Sequence, residues 1–562
     1  MRIAAVVVLA GLLAQAPLSR PAVRQEKDDL LFRVLQDEMT RATGRLKIEK
    51  SGPPYYVEYT ALESEFFQAT ASFGAITGQG GGKSRSCSID LRVGDHRLDN
   101  TNFAGNRSGG RTSLTVDDDY DALRHELWLA TDRVYKSAVE ELEKKKAFLQ
   151  QNTVQDRPDD LSKEEPVVHL EAPAKLEIDR DKWSGVITQI SAVFKEFPRI
   201  QKSMSLIVAR AETRWFLNNE GFRNRVGETG VGILFGAVIQ AEDGTKIGDA
   251  EVVSGRTTAD LPSPEAIIQT ARELAKRLEA LASAPKAEEY TGPILFEGAA
   301  GASFFSQALG PQLGSSHEAL GRGGAGGNPW KEKIGQRVTK AFLSVASDPT
   351  AREFQGAPVF GGYEVDDDGV RGRRVSLIEN GVLKNFCMSR IPTRNIKKSN
   401  GHSQGGVGGA STLFVSSTKQ ENAEGLRKRL FELGKDEGLT YVYIVRKLAH
   451  PFSRTLDYAA FDAISGARGQ VSINPAIYLY RVDMESGKEE LVRGARWGSI
   501  TLKILREIVA TGDDTRAWIT GRLSDPGMVI APSVLIEEIE INKPGKETEK
   551  LPSYPHPLFE GK

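Results

Sequence analysis

Cysteine is almost missing from this sequence: Cys87 and Cys387 are the only two among 562 residues. A disulfide framework is therefore excluded, and the pair forms either one bridge or two buried thiols that behave as small apolar side chains. An excess of either charge is missing too. Lys plus Arg number 74 against 75 Asp plus Glu, a formal net charge of −1, so no global field draws the chain to nucleic acid or to an acidic membrane surface. Apolar runs of membrane length are absent as well. The one long run, Ile3 to Leu13, falls short of the ~20 residues that a permanent transmembrane helix needs.

What is there begins with that same run. Arg2 precedes it, and Ala14-Gln15-Ala16 follows with small residues at the −3 and −1 positions of a cleavage site. This is the layout of a secretory signal peptide, so residues 1–16 are expected to direct export to a periplasm or to the exterior. No integral membrane segment is expected after cleavage. Beyond it the composition is that of a soluble globular protein, 40% hydrophobic and 27% charged, and the length asks for more than one core.

The patterning predicts a mixed α/β (α+β) chain of two domains, with largely antiparallel sheets and flanking helices. An N-terminal domain is expected over 25–285, a C-terminal one over 290–542, and a flexible tail over 543–562. Leu30 to Glu38 reads as a helix and Tyr55 to Tyr59 as a strand. Asp117 to Asp119 then introduce a long helix whose stripe is Leu123, Leu127, Ala130, Val134, Ala138 and Leu142. The Pro- and charge-rich stretch Asp156 to Pro173 reads as a mobile connection. A helix near Trp183 to Phe194 and strands near Leu206 to Ala211 and Val231 to Ile239 follow. Ser263-Pro264 opens another helix, Ser as cap and Pro at the first position. In the second half, Asn380-Gly381 between Val375–Glu379 and Val382–Phe386 is a strong hairpin signal. Strands are expected at Tyr441 to Val445 and Ala476 to Val482, and a helix after Gly498 using Ile500, Ile504, Leu505 and Ile508.

Several motifs imitate functional sites. Gly80-Gly81-Gly82-Lys83-Ser84 and Gly105 to Thr112 resemble phosphate loops, but the first lacks its leading Gly and the second has Arg111 for Lys, so both read as flexible loops. His317-Glu318 starts like a metalloprotease helix, yet Gly321 and Arg322 follow where a second His is needed; a surface loop is the expected reading. Asp366-Asp367-Asp368-Gly369 lacks the ligand spacing of a calcium loop and reads as a tight turn. Cys387 and His402 would make a thiol–imidazole pair only if the fold brought them together.

An ordered set of phrases in the second half resembles the TldD/PmbA metalloprotease family, in which some members are called modulators of DNA gyrase. They are Pro293-Ile-Leu-Phe-Glu-Gly-Ala-Ala-Gly301, Tyr363 to Gly369, Leu377 to Leu383, Ser399-Asn-Gly-His402 and Ile508 to Asp514. Active members carry His-Glu-x-x-x-His on the helix after the Ala-Ala-Gly turn. Here the matching positions hold Ser306, Gln307 and Pro311. Ser and Gln are poor zinc ligands, Gln cannot act as a base, and Pro offers no donor atom. The cysteine that completes the family's site nearer the C-terminus also has no counterpart after Cys387. The resemblance therefore implies a TldE-type subunit that holds no zinc itself, binds peptide, and pairs with a zinc-bearing TldD-like partner. The alternatives are a homodimeric peptide- or ligand-binding protein without catalysis, and a hydrolase that uses Cys387, His402 or Asp366 in place of zinc.

Overall fold

The structure is a computed structural model that describes residues 29–48, 52–105, 109–315, 319–321, 327–450, 470–520, 523 and 527–542. The expected leader, His317-Glu318 and the expected tail lie outside these residues.

Alternation of apolar and polar residues builds the N-terminal half. Val57, Tyr59 and Ala61 are buried on one face of β1 (Tyr56–Ser72), while Glu58, Thr60 and Leu62 project from the other. The same alternation runs through β5 (Ile200–Asn218) and the second part of β2 (Ala75–Arg92), whereas β6 (Arg223–Gln240) is buried on both faces from Gly230 onward. With β3 (Gly110–Leu114), β4 (Val168–Leu170) and β7 (Lys246–Gly255) they form one seven-stranded sheet in the order β3-β2-β1-β5-β6-β4, with β7 also on β6. Only β4 pairs in parallel.

Helices cover one face of this sheet. α1 (Leu30–Arg45) and α2 (Tyr120–Gln151) bury Leu35 and Leu127 against Tyr59 and Leu91 at one end. α3 (Arg180–Ala192) and α4 (Pro264–Ser283) bury Ile187 and Leu274 against Phe67 and Phe235 at the other. Each is capped by a side chain: Asp29, Asp119, Asp179 and Ser263 accept from backbone N–H groups of the first turn. The opposite face turns toward the second half of the chain.

That half holds two large sheets with a helix between them, beside two short two-stranded ribbons. The eight-stranded sheet contains β8 (Tyr290–Phe296), flanked by the parallel strand Tyr441–Leu448 and the antiparallel strand Val534–Asn542. The six-stranded sheet centres on β9 (Leu343–Ser347) and Thr412–Ser417. Between them runs α5 (Ala299–Leu313), against Tyr441–Leu448 on one side and Met528–Ala531 on the other. α6 (Ala423–Asp436) packs Leu426 and Leu430 on the outer face of the larger sheet. The fold is thus mixed α/β with mostly antiparallel sheets. Among the described residues no helix is long and apolar enough to cross a membrane.

Four expectations change. Residues after Gly498 form a 3-10 turn, Leu502–Arg506, and then the strand Ile508–Gly512; Ile504, Leu505 and Ile508 are buried, but around a turn rather than along one helix face. The Gly80–Ser84 stretch is part of β2, because its backbone pairs with Ser64–Gln68 without needing side chains. Gly110 to Thr112 likewise belong to β3, paired with Cys87–Ile89, rather than to a loop. Finally, Asp156–Pro173 is pinned at its centre. Asp160 is 1% exposed and accepts from the fully buried Lys145 Nζ at 2.6 Å, and Ser162 N donates to Arg390 O at 2.8 Å. The two cysteines are both free and buried, in different cores.

Candidate functional site

The Ala-Ala-Gly turn enters α5 through Gly298, whose φ of 52° is one that a glycine holds at no steric cost. Gly298 N donates to Ser533 Oγ at 2.7 Å, and Ser533 Oγ donates to Asp514 Oδ2 at 2.6 Å. Gly301 lies so close to Pro532 and Ser533 that a Cβ there would stand 2.6 Å from Pro532 O. The phrases Pro293–Gly301 and Ile508–Asp514, distant in sequence, thus meet at the start of this helix.

Along α5, Ser306 and Gln307 are half-buried and Pro311 is exposed. Gln307 Oε1 accepts from Asn474 N at 2.6 Å, and Asn474 is itself held by Trp497 Nε1 on its carbonyl and by Ala449 O on its amide. The Gln307 amide oxygen is therefore engaged in holding a loop of the larger sheet. Pro311 has neither a side-chain donor atom nor an N–H, and it leaves the helix only one more half-turn before Gly314. These three residues do not fit a zinc ion.

Cys387 and His402 come together more closely than sequence separation suggests, since both lean on Ser347 at the end of β9. Neither is reachable. Both side chains are fully buried, burial pushes the Cys387 thiol up to about 12, and burial holds the His402 imidazole below its usual value. A thiol kept protonated in an apolar core is a packing group, not a nucleophile. Asp366 is equally committed: its carboxylate oxygens accept from the backbone N–H of Asp368, Val370 and Ser403 at 2.8–3.0 Å. It thereby ties the Tyr363–Gly369 turn to the Ser399–His402 segment, beside a Tyr363 hydroxyl that donates to Gly401 O.

A cleft lined by charged residues lies elsewhere, between the uncovered face of the N-terminal sheet and the loops of the second half. This cleft measures about 890 Å³. One end is closed by Tyr56 and Glu58 of β1, Asp90 and Arg92 of β2, and Asp368 and Arg390 from the second half. Glu58 stands directly across from Asp90 in the β1–β2 register, an arrangement of like charges that a sheet ordinarily avoids. Burial and the Asp90 and Asp368 carboxyls push the Glu58 carboxyl up to about 8, so it is protonated near neutrality. The Tyr56 hydroxyl hydrogen-bonds to Glu58 Oε2.

Arg390, 2% exposed, joins the halves at this wall. Its Nη2 donates to Glu220 Oε2 and to Ser162 O, both at 2.6 Å, its Nη1 to the Tyr56 hydroxyl at 3.3 Å, and its backbone N to Asp368 Oδ2 at 2.8 Å. Its Nε has no hydrogen-bond partner, and neither has Asp90 Oδ1. Arg214 and Asp367 form a second ion pair across the cleft. Sequence reading missed Glu58, Asp90 and Arg390. Glu58 and Asp90 occupy the polar phase of their strands' alternation, where a charge is no signal, and their opposition appears only once register is known. Arg390 sits in a stretch without regular structure and carries no pattern at all.

Known proteins bear on this fold. Residues 289–543 match the family model of the PmbA/TldA metallopeptidase C-terminal domain. A metalloprotease of Methanocaldococcus jannaschii is 36% identical over 94 residues, 15% of this chain and 20% of that protein; the match thus spans a fifth of the relative's length. A Thermotoga maritima protein described as a modulator of a DNA gyrase superposes with a TM-score of 0.58 at 16% identity, over 87% of this chain and 96% of that one. TldE from Thermococcus kodakarensis gives 0.56 at 15% identity, over 91% and 100%. At such identities the two structures show a shared fold.

Proposed function

This chain belongs to the TldD/PmbA family, and we propose that it acts as a TldE-type subunit: exported, without zinc chemistry of its own, binding peptide and completing a metalloprotease with a zinc-bearing partner. The observation that carries this reading is the chemistry of α5. Where the family resemblance expects His, Glu and His, the helix offers Ser306, a Gln307 whose oxygen is spent on Asn474, and Pro311. None of the three other nucleophile or base candidates in that half is accessible, since Cys387, His402 and Asp366 are all buried. The cleft between the halves supports the binding role, having room for several residues of extended chain and walls rich in hydrogen-bonding groups. The run Ile3–Leu13 with its small-residue exit supports export.

The test is metal content and peptidase activity of the purified mature chain, alone and mixed with a family member bearing His-Glu-x-x-x-His. No stoichiometric zinc and no activity alone, with a stable complex and peptidase activity on mixing, is the expected result. Chelator-sensitive activity of the chain by itself overturns it. A metal-free homodimer that ignores every such partner supports a self-contained binding protein instead.

A further inference from the structure

The closed end of the cleft is short of positive charge. Arg92 is shared between Asp90, which it holds through Nε and Nη2 on one oxygen, and the buried Asp99. Arg390 is bound by Glu220, whose other oxygen meets His96 Nε2. These two guanidinium groups thus face Glu58, Asp90, Asp99, Asp368 and Glu220. Glu58 receives no charged donor, only the Tyr56 hydroxyl from its own strand, with Asp90 opposite it on β2 and Asp368 and Arg390 facing it from the second half. The strand on its other side presents Asn218, which is uncharged.

Two orphaned polar atoms accompany that surplus. Asp90 Oδ1 is an acceptor without a donor, and Arg390 Nε, on a side chain 2% exposed, is a donor without an acceptor. Buried polar atoms are nearly always satisfied, and those that are not ask for a missing partner. A ligand that answers both must carry a cationic donor and a carbonyl oxygen. The first residue of a peptide has that pattern; the end of a lysine side chain carries the cation without the carbonyl.

We propose that the closed end of this cleft captures the amino terminus of an extended peptide, its ammonium among Glu58, Asp90 and Asp368 and its first carbonyl oxygen accepting from Arg390 Nε. The proposal rests on the peptide-binding reading above and assigns that role a polarity: the chain enters with its amino end at Arg390 and runs outward between Arg214 and β2. Capture converts Glu58 to its carboxylate. Because burial and its acidic neighbours hold that carboxyl near 8 in the empty site, binding of the ammonium expels a proton below this pH. Affinity therefore rises toward pH 8, and falls above it as the peptide's own amine, of ordinary pKa ~7.7–8.0, loses its charge.

The experiment is calorimetric binding of the purified full chain to four synthetic peptides: free or N-acetylated, each with or without one internal lysine. Acetylation is expected to weaken binding about tenfold or more, the value of one charge-assisted hydrogen bond, and an internal lysine is expected not to restore it. Glu58→Gln is expected to bind free and acetylated peptides alike. Equal binding of free and acetylated peptides to the unaltered chain overturns the capture site while leaving peptide binding intact. Restoration by lysine overturns the amino-terminal assignment in favour of a side-chain ammonium. Failure of all four to bind overturns the peptide-binding reading and the capture site with it.

Discussion

Glu58 shows what a charged site costs a fold. Its folded-state pKa is raised by burial and by Asp90 and Asp368 to about 8, far above the ~4.3 of an unfolded glutamate. Between these values the folded protein holds a proton that the unfolded chain releases, so stability falls as pH rises through this window. Glu58→Gln, which cannot ionise, is expected to melt at a higher temperature than the unaltered protein at pH 7. The difference should shrink to nothing below pH ~4, where both states are protonated. Thermal melts of both proteins from pH 4 to 8 check this; a difference independent of pH would show that the carboxyl is not held in its acid form. A cleft-lining acid held neutral at such a cost fits a residue that serves a ligand rather than packing. At this scale the sequence was legible where residue chemistry alone decides, as with Pro311, which cannot ligate anything. It was silent where neighbours decide, as with Cys387, whose burial among core residues no spacing announces.

Secondary elements were legible in proportion to how local their causes are. Ser263-Pro264 starts α4 and Asp119 starts α2 because caps act within one turn. Asn380-Gly381 makes its hairpin because both residues take φ values of 47° and 79°. Gly381 is held further by its neighbours, since a Cβ there would lie 2.6 Å from the carbonyl oxygens of both Thr339 and Lys340. Gly381→Ala is expected to destabilise the protein by about 2 kcal/mol, from the left-handed backbone and the crowding together; denaturant unfolding measures it, and a loss below the error of the method would contradict the turn geometry. The failures were non-local. β1, β5 and β6 run to 17–19 residues, well beyond the apolar cores by which strands are recognised, because pairing with a long neighbour sustains Gly-rich and charged stretches. The run after Gly498 has helical spacing, yet the strand Ile508–Gly512 finds a partner in Val534–Asn542, and a tertiary hydrogen-bonding partner outweighs periodicity.

At the scale of the whole molecule, two halves are joined by buried polar ties. Lys447 of the second half donates to Asp249 and Glu251 of β7 at 2.8 and 2.9 Å and to Ala250 O at 2.9 Å, while Tyr478 donates to Asp249 at 2.5 Å. Asp249 is 0% exposed, so removing its cation strands a buried carboxylate. Lys447→Met is expected to cost roughly 3–5 kcal/mol and to split one calorimetric transition into two as the halves uncouple. A single unshifted transition would mean that the tie contributes nothing. The mixed, largely antiparallel architecture could be read from hairpin signals and helix stripes. The cleft could not, because its walls come from strands and loops more than 300 residues apart, such as Tyr56 and Arg390.

One contact between the halves bears on how the protein is made. Leu523, near the end of the chain, packs on Leu234, Val238 and Ala250 of the N-terminal sheet, and its carbonyl accepts from Ser254 Oγ across 269 positions. Gly232 leaves the space, since a Cβ there would overlap the Leu523 carbonyl. During synthesis the first sheet is therefore complete in its strands while this apolar patch still faces solvent, waiting for nearly half of the polypeptide to emerge. A nascent chain in that state is sticky and unfinished until the second half arrives to cover it.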